Sequence, residues 1–186
     1  MKPGAIGLLL AFTFLSAQAQ TKMELEKRIS LEEVPQLATQ WLDHYYLSTK
    51  SSKLKWYFEK DGDHYSYECK FKLHRHRFSV EFDQLGHFED LEISYSRRQL
   101  PDEIYNSLQD IAKKYRIKRT QIQFKAIKKE LFQPGFLNKI SKSKTAYLYE
   151  LEVILDGEFY ELLMDSSGNI LLKRPILSPT GIYLDF

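Results

Sequence analysis

The sequence has only one cysteine, Cys69, among its 186 residues, so the chain cannot form a disulfide with itself. Folds that depend on several disulfides are therefore excluded, and stability has to come from side-chain packing. Cys69 lies in a segment in which apolar and polar residues alternate. This position predicts a buried thiol that packs as a small apolar side chain. An intermolecular disulfide and a reactive thiol are the alternatives.

The sequence also lacks the common motifs of catalysis and cofactor binding. It contains neither a glycine-rich phosphate loop nor a serine-nucleophile turn. Of the five histidines, only His74 and His76 are spaced to share one face of a strand, and a zinc site needs three or four ligands. Glu68 and Glu150 are expected on the solvated face of strands, where a carboxylate is ordinary. We therefore expect no enzymatic activity, no cofactor and no metal.

Long apolar segments are absent beyond the N-terminus. There, Lys2 precedes an apolar run over residues 5–15, and small residues at Ala17 and Ala19 follow it. This order of charge, short apolar core and A-x-A site is typical of a secretory leader, and the run is too short to span a bilayer. We expect a signal peptide over residues 1–19, no transmembrane segment after its cleavage, and a periplasmic or secreted mature protein.

The chain has no strong overall charge, with 27 Lys and Arg against 25 Asp and Glu, which argues against a general polyanion binder. The charge is nevertheless uneven, because residues 113–144 hold eleven basic side chains against the single acid Glu130. This segment predicts a positive loop that steers an acidic partner. The alternative is a solubilising surface that protects a strand edge. The candidate partner-binding residues are Lys128, Lys129, Lys139, Lys142 and Lys144.

An internal repeat organises the rest of the chain. The segment 65–68, Tyr-Ser-Tyr-Glu, matches 147–150, Tyr-Leu-Tyr-Glu, at an offset of 82 residues, and Gly86 matches Gly168 at the same offset. Upstream, a Val-Pro pair at 34–35 matches a Leu-Pro pair at 100–101 at an offset of 66. The second copy therefore carries 82 − 66 = 16 additional residues. Such self-similarity predicts two copies of one structural unit.

Each copy is predicted to be one helix followed by a four-stranded antiparallel meander. Pro35 and Pro101 suit the first position of a helix, and alternating apolar residues predict the strands. The expected fold class is α+β, with the helices packed on one face of each sheet and the other face toward water. The predicted boundaries are 20–96 for the first repeat, 97–175 for the second with a Lys-rich insertion near 125–145, and 176–186 for a C-terminal tail.

These motifs resemble the PepSY-like modules, which are related in fold to the β-lactamase inhibitor protein. The resemblance is carried by the Pro-initiated helices, the Tyr-x-Tyr-Glu strands and the apolar-Asp-x-x-Gly turns at 82–86 and 164–168. It implies an exported, non-catalytic protein, often built of tandem modules, that binds or inhibits other proteins through an exposed sheet face and its loops. The turn at 74–77 and the Lys-rich insertion depart from that pattern.

We therefore expect an exported binding module, and a protein inhibitor is one form that it could take. Its partner would be a protein in the envelope or outside the cell, and export makes nucleic acid an unsuitable partner. A monomer is expected. The alternative function is a periplasmic carrier or sensor of a small or lipidic ligand held between helix and sheet.

Overall fold

The computed structural model describes residues 22–46, 54–127, 129–133 and 147–177. These residues form nine β-strands and two α-helices. The strands are β1 (Lys22–Ile29), β2 (Lys55–Asp61), β3 (His64–Leu73), β4 (His76–Phe82), β5 (Phe88–Ser94), β6 (Arg116–Phe124), β7 (Leu148–Leu155), β8 (Glu158–Met164) and β9 (Ile170–Leu177). The helices are α1 (Gln36–Tyr46) and α2 (Asp102–Ala112). The predicted signal peptide and residues 178–186 lie outside the described residues.

The nine strands form one continuous sheet in chain order. The prediction of two repeats, each with its own helix and four-stranded meander, is therefore wrong. The two halves of the chain are joined by antiparallel pairing of β5 with β6, in which Leu91 lies opposite Phe124 and Ser94 opposite Gln121. A further strand that the sequence reading missed, β1, pairs along β2. These pairings connect residues far apart in the chain, so a local pattern could not predict them.

The sheet closes on itself where its first and last strands meet. β1 and β9 run parallel, and their pairing joins Lys22 to Ile176 and Met23 to Leu177. All other neighbouring strands are antiparallel and share longer stretches of ladder. This contact, which we call the seam, is described for these two residue pairs, since residues before Lys22 and after Leu177 lie outside the described part of the chain.

The outer face of the sheet is apolar and carries both helices. Trp41 of α1 stacks on Phe88 with ring centroids 4.8 Å apart and meets Phe82 edge-on. Ile104 and Leu108 of α2 are buried in the same core. No helix in the described part of the chain is long and apolar enough to cross a membrane.

Both helices start just after a proline, as predicted, although each proline lies one residue ahead of the helix rather than in its first turn. Before each proline there is a short 3₁₀ turn. A capping box closes each of these turns, with Glu33 bonded back to the Ser30 N–H and Gln99 to the Ser96 N–H. The capping box at Ser30 therefore belongs to this turn, which ends before Pro35.

The two turns that carry the apolar-Asp-x-x-Gly motif have the same hydrogen bonds. Asp83 Oδ1 accepts from the Leu85 and His87 N–H groups, and Asp165 Oδ1 accepts from those of Ser167 and Asn169. Each turn ends near a helix, because Gly86 lies against α1 and Gly168 against α2. The motif thus predicted the local geometry in both halves, although the halves do not form separate units.

Part of the Lys-rich insertion belongs to the core. A 3₁₀ turn at Lys129–Phe132 buries Leu131 and Phe132, and the Phe132 ring stacks on Phe78 with centroids 5.9 Å apart. The expectation that the insertion is a positive loop is therefore wrong for this turn, which packs into the core. Residues 134–146 lie outside the described residues.

Candidate functional site

The inner face of the sheet carries the largest concentration of ionisable groups in the described part of the chain. We call it the polar face. Its most buried side chains come from six different strands: Glu68, Lys70, Ser79, Asp90, Glu92, Gln121, Glu150 and Glu161. Each is at most 8% exposed. The prediction that this face is turned toward water is therefore wrong, because closure of the sheet encloses it.

Lys70 is the cation at one side of the polar face. Its Nζ lies 2.9 Å from Glu26 Oε2, 2.6 Å from Glu68 Oε2 and 3.9 Å from Glu59 Oε1, so it links β1, β2 and β3. It also lies 4.8 Å from the centroid of the Tyr57 ring. Burial alone would lower the pKa of Lys70, but the surrounding carboxylates raise it above its ordinary value. The ammonium is therefore permanently charged and neutralises this group of acids.

Glu59 and Glu68 lie side by side in this group, and the pKa values of their carboxyl groups are shifted in opposite directions. Burial and the charge of Glu68 raise the pKa of Glu59 well above its ordinary value. Burial also acts to raise the pKa of Glu68, but Lys70 and hydrogen bonds from Glu59 and Ser79 hold it below its ordinary value. The two carboxyl groups are hydrogen-bonded to each other, and the surroundings favour the ionised form at Glu68 and the protonated form at Glu59.

A second carboxyl pair lies across the sheet, on β5 and β7. Burial, followed by the charges of Glu150, Glu81 and Asp90, raises the pKa of Glu92 well above its ordinary value. Glu92 is hydrogen-bonded to Glu150 and accepts from the Gln121 amide. The surroundings of Glu92 therefore favour its protonated form.

Two arginines complete the charge balance of the polar face. Arg119 is bonded to Glu152 across β6 and β7. Arg174 of β9 donates to Glu161 Oε1 at 2.8 Å, and its Nη1 lies 3.5 Å from Asp61 Oδ2 on β2. The Arg174–Asp61 pair spans the seam, since β9 and β2 are the strands on either side of β1.

The groups of three possible metal ligands within the described residues contain only carboxylates. One comprises Glu26, Glu59 and Glu68, and the other Glu81, Asp90 and Glu92. A lysine already lies in each, because Lys70 contacts Glu68 at 2.6 Å and Lys125 Nζ contacts Asp90 Oδ2 at 2.6 Å. These lysines therefore balance part of the negative charge of each group.

Replacing Glu92 with glutamine should flatten the pH dependence of stability. The pKa of Glu92 is higher in the folded state than in the unfolded state, so the unfolded state loses this proton first as pH rises. The free energy of unfolding therefore falls as pH rises above the ordinary Glu pKa of about 4.3. Glu92→Gln keeps the hydrogen-bonding shape without the charge, and we expect it to be more stable than wild type at pH 8 and similar at pH 5. Urea unfolding at both pH values checks this, with the exposed Glu103→Gln as the control. Equal slopes for wild type and Glu92→Gln would contradict it.

The structure also places the other residues considered as site candidates. Cys69 is fully buried, as predicted, and burial raises the pKa of its thiol, which makes it a poor nucleophile. His74 lies in an exposed turn, whereas His76 is buried, with Nδ1 3.1 Å from the Ser94 carbonyl oxygen. The histidines of the turn therefore do not share a ligand position.

A positive surface lies outside the closed sheet, where α2 leads into β6. We call it the basic surface. Its members are exposed cations: Arg97, Arg98, Lys113, Lys114, Arg116 and Lys118. Arg97 Nη2 donates to the Ile117 carbonyl oxygen at 3.3 Å, which ties the turn at 97–99 to β6. Asp110 pairs with Lys113 at 2.6 Å, but both side chains are exposed, so this ion pair contributes little to stability.

The basic surface leads along β6 toward the Lys-rich insertion. Of the five predicted partner-binding lysines, only Lys129 lies within the described backbone, in the 3₁₀ turn before Phe132. Lys128, Lys139, Lys142 and Lys144 lie outside the described residues. The sequence therefore predicted the positive segment but not the contribution of Arg97 and Arg98. These two residues precede α2 in the chain, and folding places Arg97 against β6.

Three solved structures from Bacteroides resemble this one. A DUF2874 family protein from Bacteroides uniformis has a TM-score of 0.52 at 14% identity, over 76% of this chain and 89% of that chain. A protein from Bacteroides eggerthii assigned to the periplasm has a TM-score of 0.52 at 11% identity, over 76% and 88%. A BLIP-like protein from Bacteroides fragilis has a TM-score of 0.49 at 15% identity, over 82% and 92%. The likeness to the first two shows a shared fold.

No family model and no curated protein matches the sequence.

Proposed function

We propose that this protein is a periplasmic, non-catalytic binding module that recruits an acidic protein partner through its basic surface and the adjoining Lys-rich insertion. The observation that carries the proposal is the segregation of charge. The acids of the sheet are mostly enclosed and paired with Lys70, Arg119 and Arg174. The cations of the basic surface are exposed. A partner that approaches the basic surface from solvent therefore meets positive charge.

Two points support a location in the periplasm. The predicted secretory leader at residues 1–19 would export the chain. The structurally similar protein from Bacteroides eggerthii is assigned to the periplasm. The resemblance of the sequence motifs to PepSY-like and β-lactamase-inhibitor-like modules adds the expectation of a protein partner, and inhibition is one form that this binding could take.

A non-catalytic role agrees with the chemistry of the described side chains. The buried Cys69 thiol is held in its neutral form, and the glutamates of the polar face are enclosed. The space between helices and sheet is filled by fully buried side chains such as Ala38 and Leu108. This packing favours the binding module over the alternative of a carrier that holds a ligand between helix and sheet.

Charge reversal tests the proposed function. Changing Lys128, Lys129, Lys139, Lys142 and Lys144 to Glu should slow association with the acidic partner by about tenfold or more at low ionic strength, and the difference should shrink as salt rises. Folding should be almost unchanged, because exposed charges contribute little to stability. The measurement is capture from envelope extract by the immobilised protein, quantified by mass spectrometry at low and high salt.

The matched control reverses five exposed cations elsewhere on the molecule: Lys27, Arg28, Lys72, Arg75 and Arg77. It has the same net charge as the test variant, so a non-specific charge effect would weaken both equally. We expect the control to keep the partners of the wild type. If the test variant captures the same acidic proteins as wild type at low salt, the lysines serve only solubility and the proposed function is wrong.

A further inference from the structure

We propose that the corner at which α1 begins binds a segment of a protein partner that presents apolar side chains together with Lys or Arg. We call this surface the apolar corner. Its members are exposed leucines: Leu31, which is 58% exposed, Leu37, 47%, and Leu85, 66%. The apolar corner is separate from the basic surface and suits a partner of the opposite charge, so the inference goes beyond the proposed function.

The three leucines lie around one contact between α1 and the sheet. Leu31 opens the 3₁₀ turn just before α1, Leu37 is the second residue of α1, and Leu85 lies in the turn between β4 and β5. A Cβ at Gly86 would lie 2.8 Å from the Pro35 Cβ and 3.2 Å from the Leu37 Cβ, so this turn packs against the start of the helix. Single exposed leucines are ordinary on a protein surface, whereas a group of them commonly marks a binding site.

The second half of the chain shows that this local structure does not require leucine. A capping box, a proline and an Asp-x-x-Gly turn also occur at the start of α2. The residues at offsets of 66 and 82 are exposed and polar there: Arg97 for Leu31, Glu103 for Leu37 and Ser167 for Leu85. Polar side chains therefore satisfy the same local structure, and contact with a partner accounts for the leucines.

Acidic residues border the apolar corner. Glu32 and Glu33 follow Leu31 in the 3₁₀ turn and are exposed. Hydrogen bonds from Ser30 hold the pKa of both carboxyl groups below the ordinary value, so both are ionised at neutral pH. Lys27 acts on Glu33 but offsets only one of the two charges. A segment that covers the leucines is therefore attracted if it also carries Lys or Arg.

Charge also distinguishes the two helix starts from each other. At the start of α2, Arg98 and Gln99 take the places of Glu32 and Glu33. A cationic segment is therefore repelled from the start of α2 and attracted to the apolar corner, although the two share their local structure.

A second copy of this chain is a less suitable occupant. Its exposed cations Arg97 and Arg98 could meet the acids, but their exposed neighbours Glu103 and Ser167 are polar and would not cover the leucines. Such a contact would also join unlike surfaces of two molecules, which produces an open chain of molecules unless it closes into a ring. The charge and the leucines together therefore favour a different protein.

A short cationic peptide tests the inference. The probe is acetyl-Lys-Leu-Ala-Lys-Leu-Leu-Lys-amide. One control peptide replaces its leucines with serine and keeps the charge, and the other replaces its lysines with glutamate and keeps the apolar side chains. In the full chain with isotope-labelled leucine methyl groups, the probe at millimolar concentration should shift the signals of Leu31, Leu37 and Leu85 in a saturable way. We expect each control peptide to bind at least about tenfold more weakly, because each lacks one of the two contributions.

Substitution by the residues of the second half gives a matched variant. Leu31→Arg, Leu37→Glu and Leu85→Ser together leave the net charge unchanged and use side chains that the same local structure already carries. This variant should bind the probe about tenfold or more weakly, while its unfolding in urea should stay close to that of wild type. Leu25→Ser with Leu171→Ser removes exposed leucines from β1 and β9 instead, and should bind as wild type does.

A second variant tests the acids. Glu32→Arg with Glu33→Gln introduces the residue types of the second half, in which Gln99 bonds to the Ser96 N–H as Glu33 does to the Ser30 N–H. The capping box is therefore kept while the charge is reversed. Probe binding should fall about fivefold or more at low ionic strength, and the loss should shrink as salt rises.

The contrary results can be told apart. Absence of saturable shifts at millimolar probe, or equal binding of the leucine-substituted variant and wild type, would overturn the inference. Equal binding of the serine peptide would overturn it by reducing the contact to charge alone. Leucine methyl shifts that grow with protein concentration before peptide is added would show that a second copy occupies the apolar corner. Capture of an acidic partner by the Lys-rich insertion is a separate measurement, so failure of that proposal is distinguishable from failure of this one.

Discussion

Replacing Lys70 with methionine should lower the free energy of unfolding by about 3–5 kcal/mol at pH 7.5, the usual consequence of removing one partner from a buried ion pair. The methionine fills the space of the lysine stem but leaves the carboxyl groups of Glu26, Glu59 and Glu68 without their cation. Urea unfolding measures the loss. Lys72→Met is the matched control, because Lys72 follows two residues later on the same face but is exposed, and we expect it to cost less than about 1 kcal/mol.

The loss in Lys70→Met should also depend on pH. Without the ammonium, repulsion raises the pKa of the three carboxyl groups in the folded state, so the folded state takes up protons before the unfolded state does. Stability of the variant therefore rises as pH falls from 7.5 to 5, and its deficit relative to wild type should shrink. Lys70→Arg should recover much of the stability, because it restores the charge. A deficit below 1 kcal/mol at pH 7.5, or one that does not change with pH, would contradict the charge balance described for the polar face.

Gly86→Ala should be the most destabilising of the four glycine-to-alanine changes at turns. A Cβ at Gly86 would lie 2.8 Å from both the Ala38 nitrogen and the Pro35 Cβ, which are rigid parts of the start of α1. The residue also has a φ of +88°, which disfavours alanine by about 1–2 kcal/mol. Overpacking adds about 1–3 kcal/mol. We expect α1 to shift away from the sheet, with a total loss of about 3–4 kcal/mol.

Gly157 provides the matched control, because its φ is also +88° but an added Cβ would meet no atom within 4 Å. The difference between Gly86→Ala and Gly157→Ala thus isolates the contact with α1. Gly168→Ala should lie between them, since its Cβ would collide with the Ser107 side chain, and Ser107→Gly should relieve part of the cost. Equal losses at Gly86 and Gly157 would show that α1 does not pack on the Asp83–Gly86 turn.

Local structure was predictable where a single segment determines it. The alternation in β3 and β7 identified the residues on each face, and the structure pairs Tyr67 with Phe82 and Tyr149 with Met164 as the repeat implies. The Asp-x-x-Gly motif predicted both turns because its carboxylate bonds to groups within four residues of it in the chain. Proline preceded both helices for an equally local reason.

The enclosure of the polar face was not predictable in this way. Alternation shows that Glu68 and Glu150 share a face, but not what covers it. That depends on pairing of β5 with β6 and of β1 with β9, which joins distant parts of the chain. One signal was present, since Met23, Leu25 and Ile29 occupy alternate positions in a segment that sequence reading left unassigned. Such a pattern predicts a strand, and recognising it would have added β1.

The positive regions also differ in how far the sequence predicts them. The Lys-rich insertion is visible in the sequence as a run of charge, whereas the basic surface includes Arg97 and Arg98, which hydrogen bonding brings beside β6. Surfaces formed by pairing between distant segments therefore need the structure.

The central claim is that the closed sheet encloses the acids of its polar face. Carboxyl footprinting, in which a carbodiimide couples an amine to accessible carboxylates and mass spectrometry reads the rate at each residue, tests it directly. We expect Glu92, Glu150 and Glu161 to react at least about tenfold more slowly than the exposed Glu103 and Glu158, because their reaction requires local opening. Similar rates at the two sets would show that the polar face is open to solvent and would contradict this account.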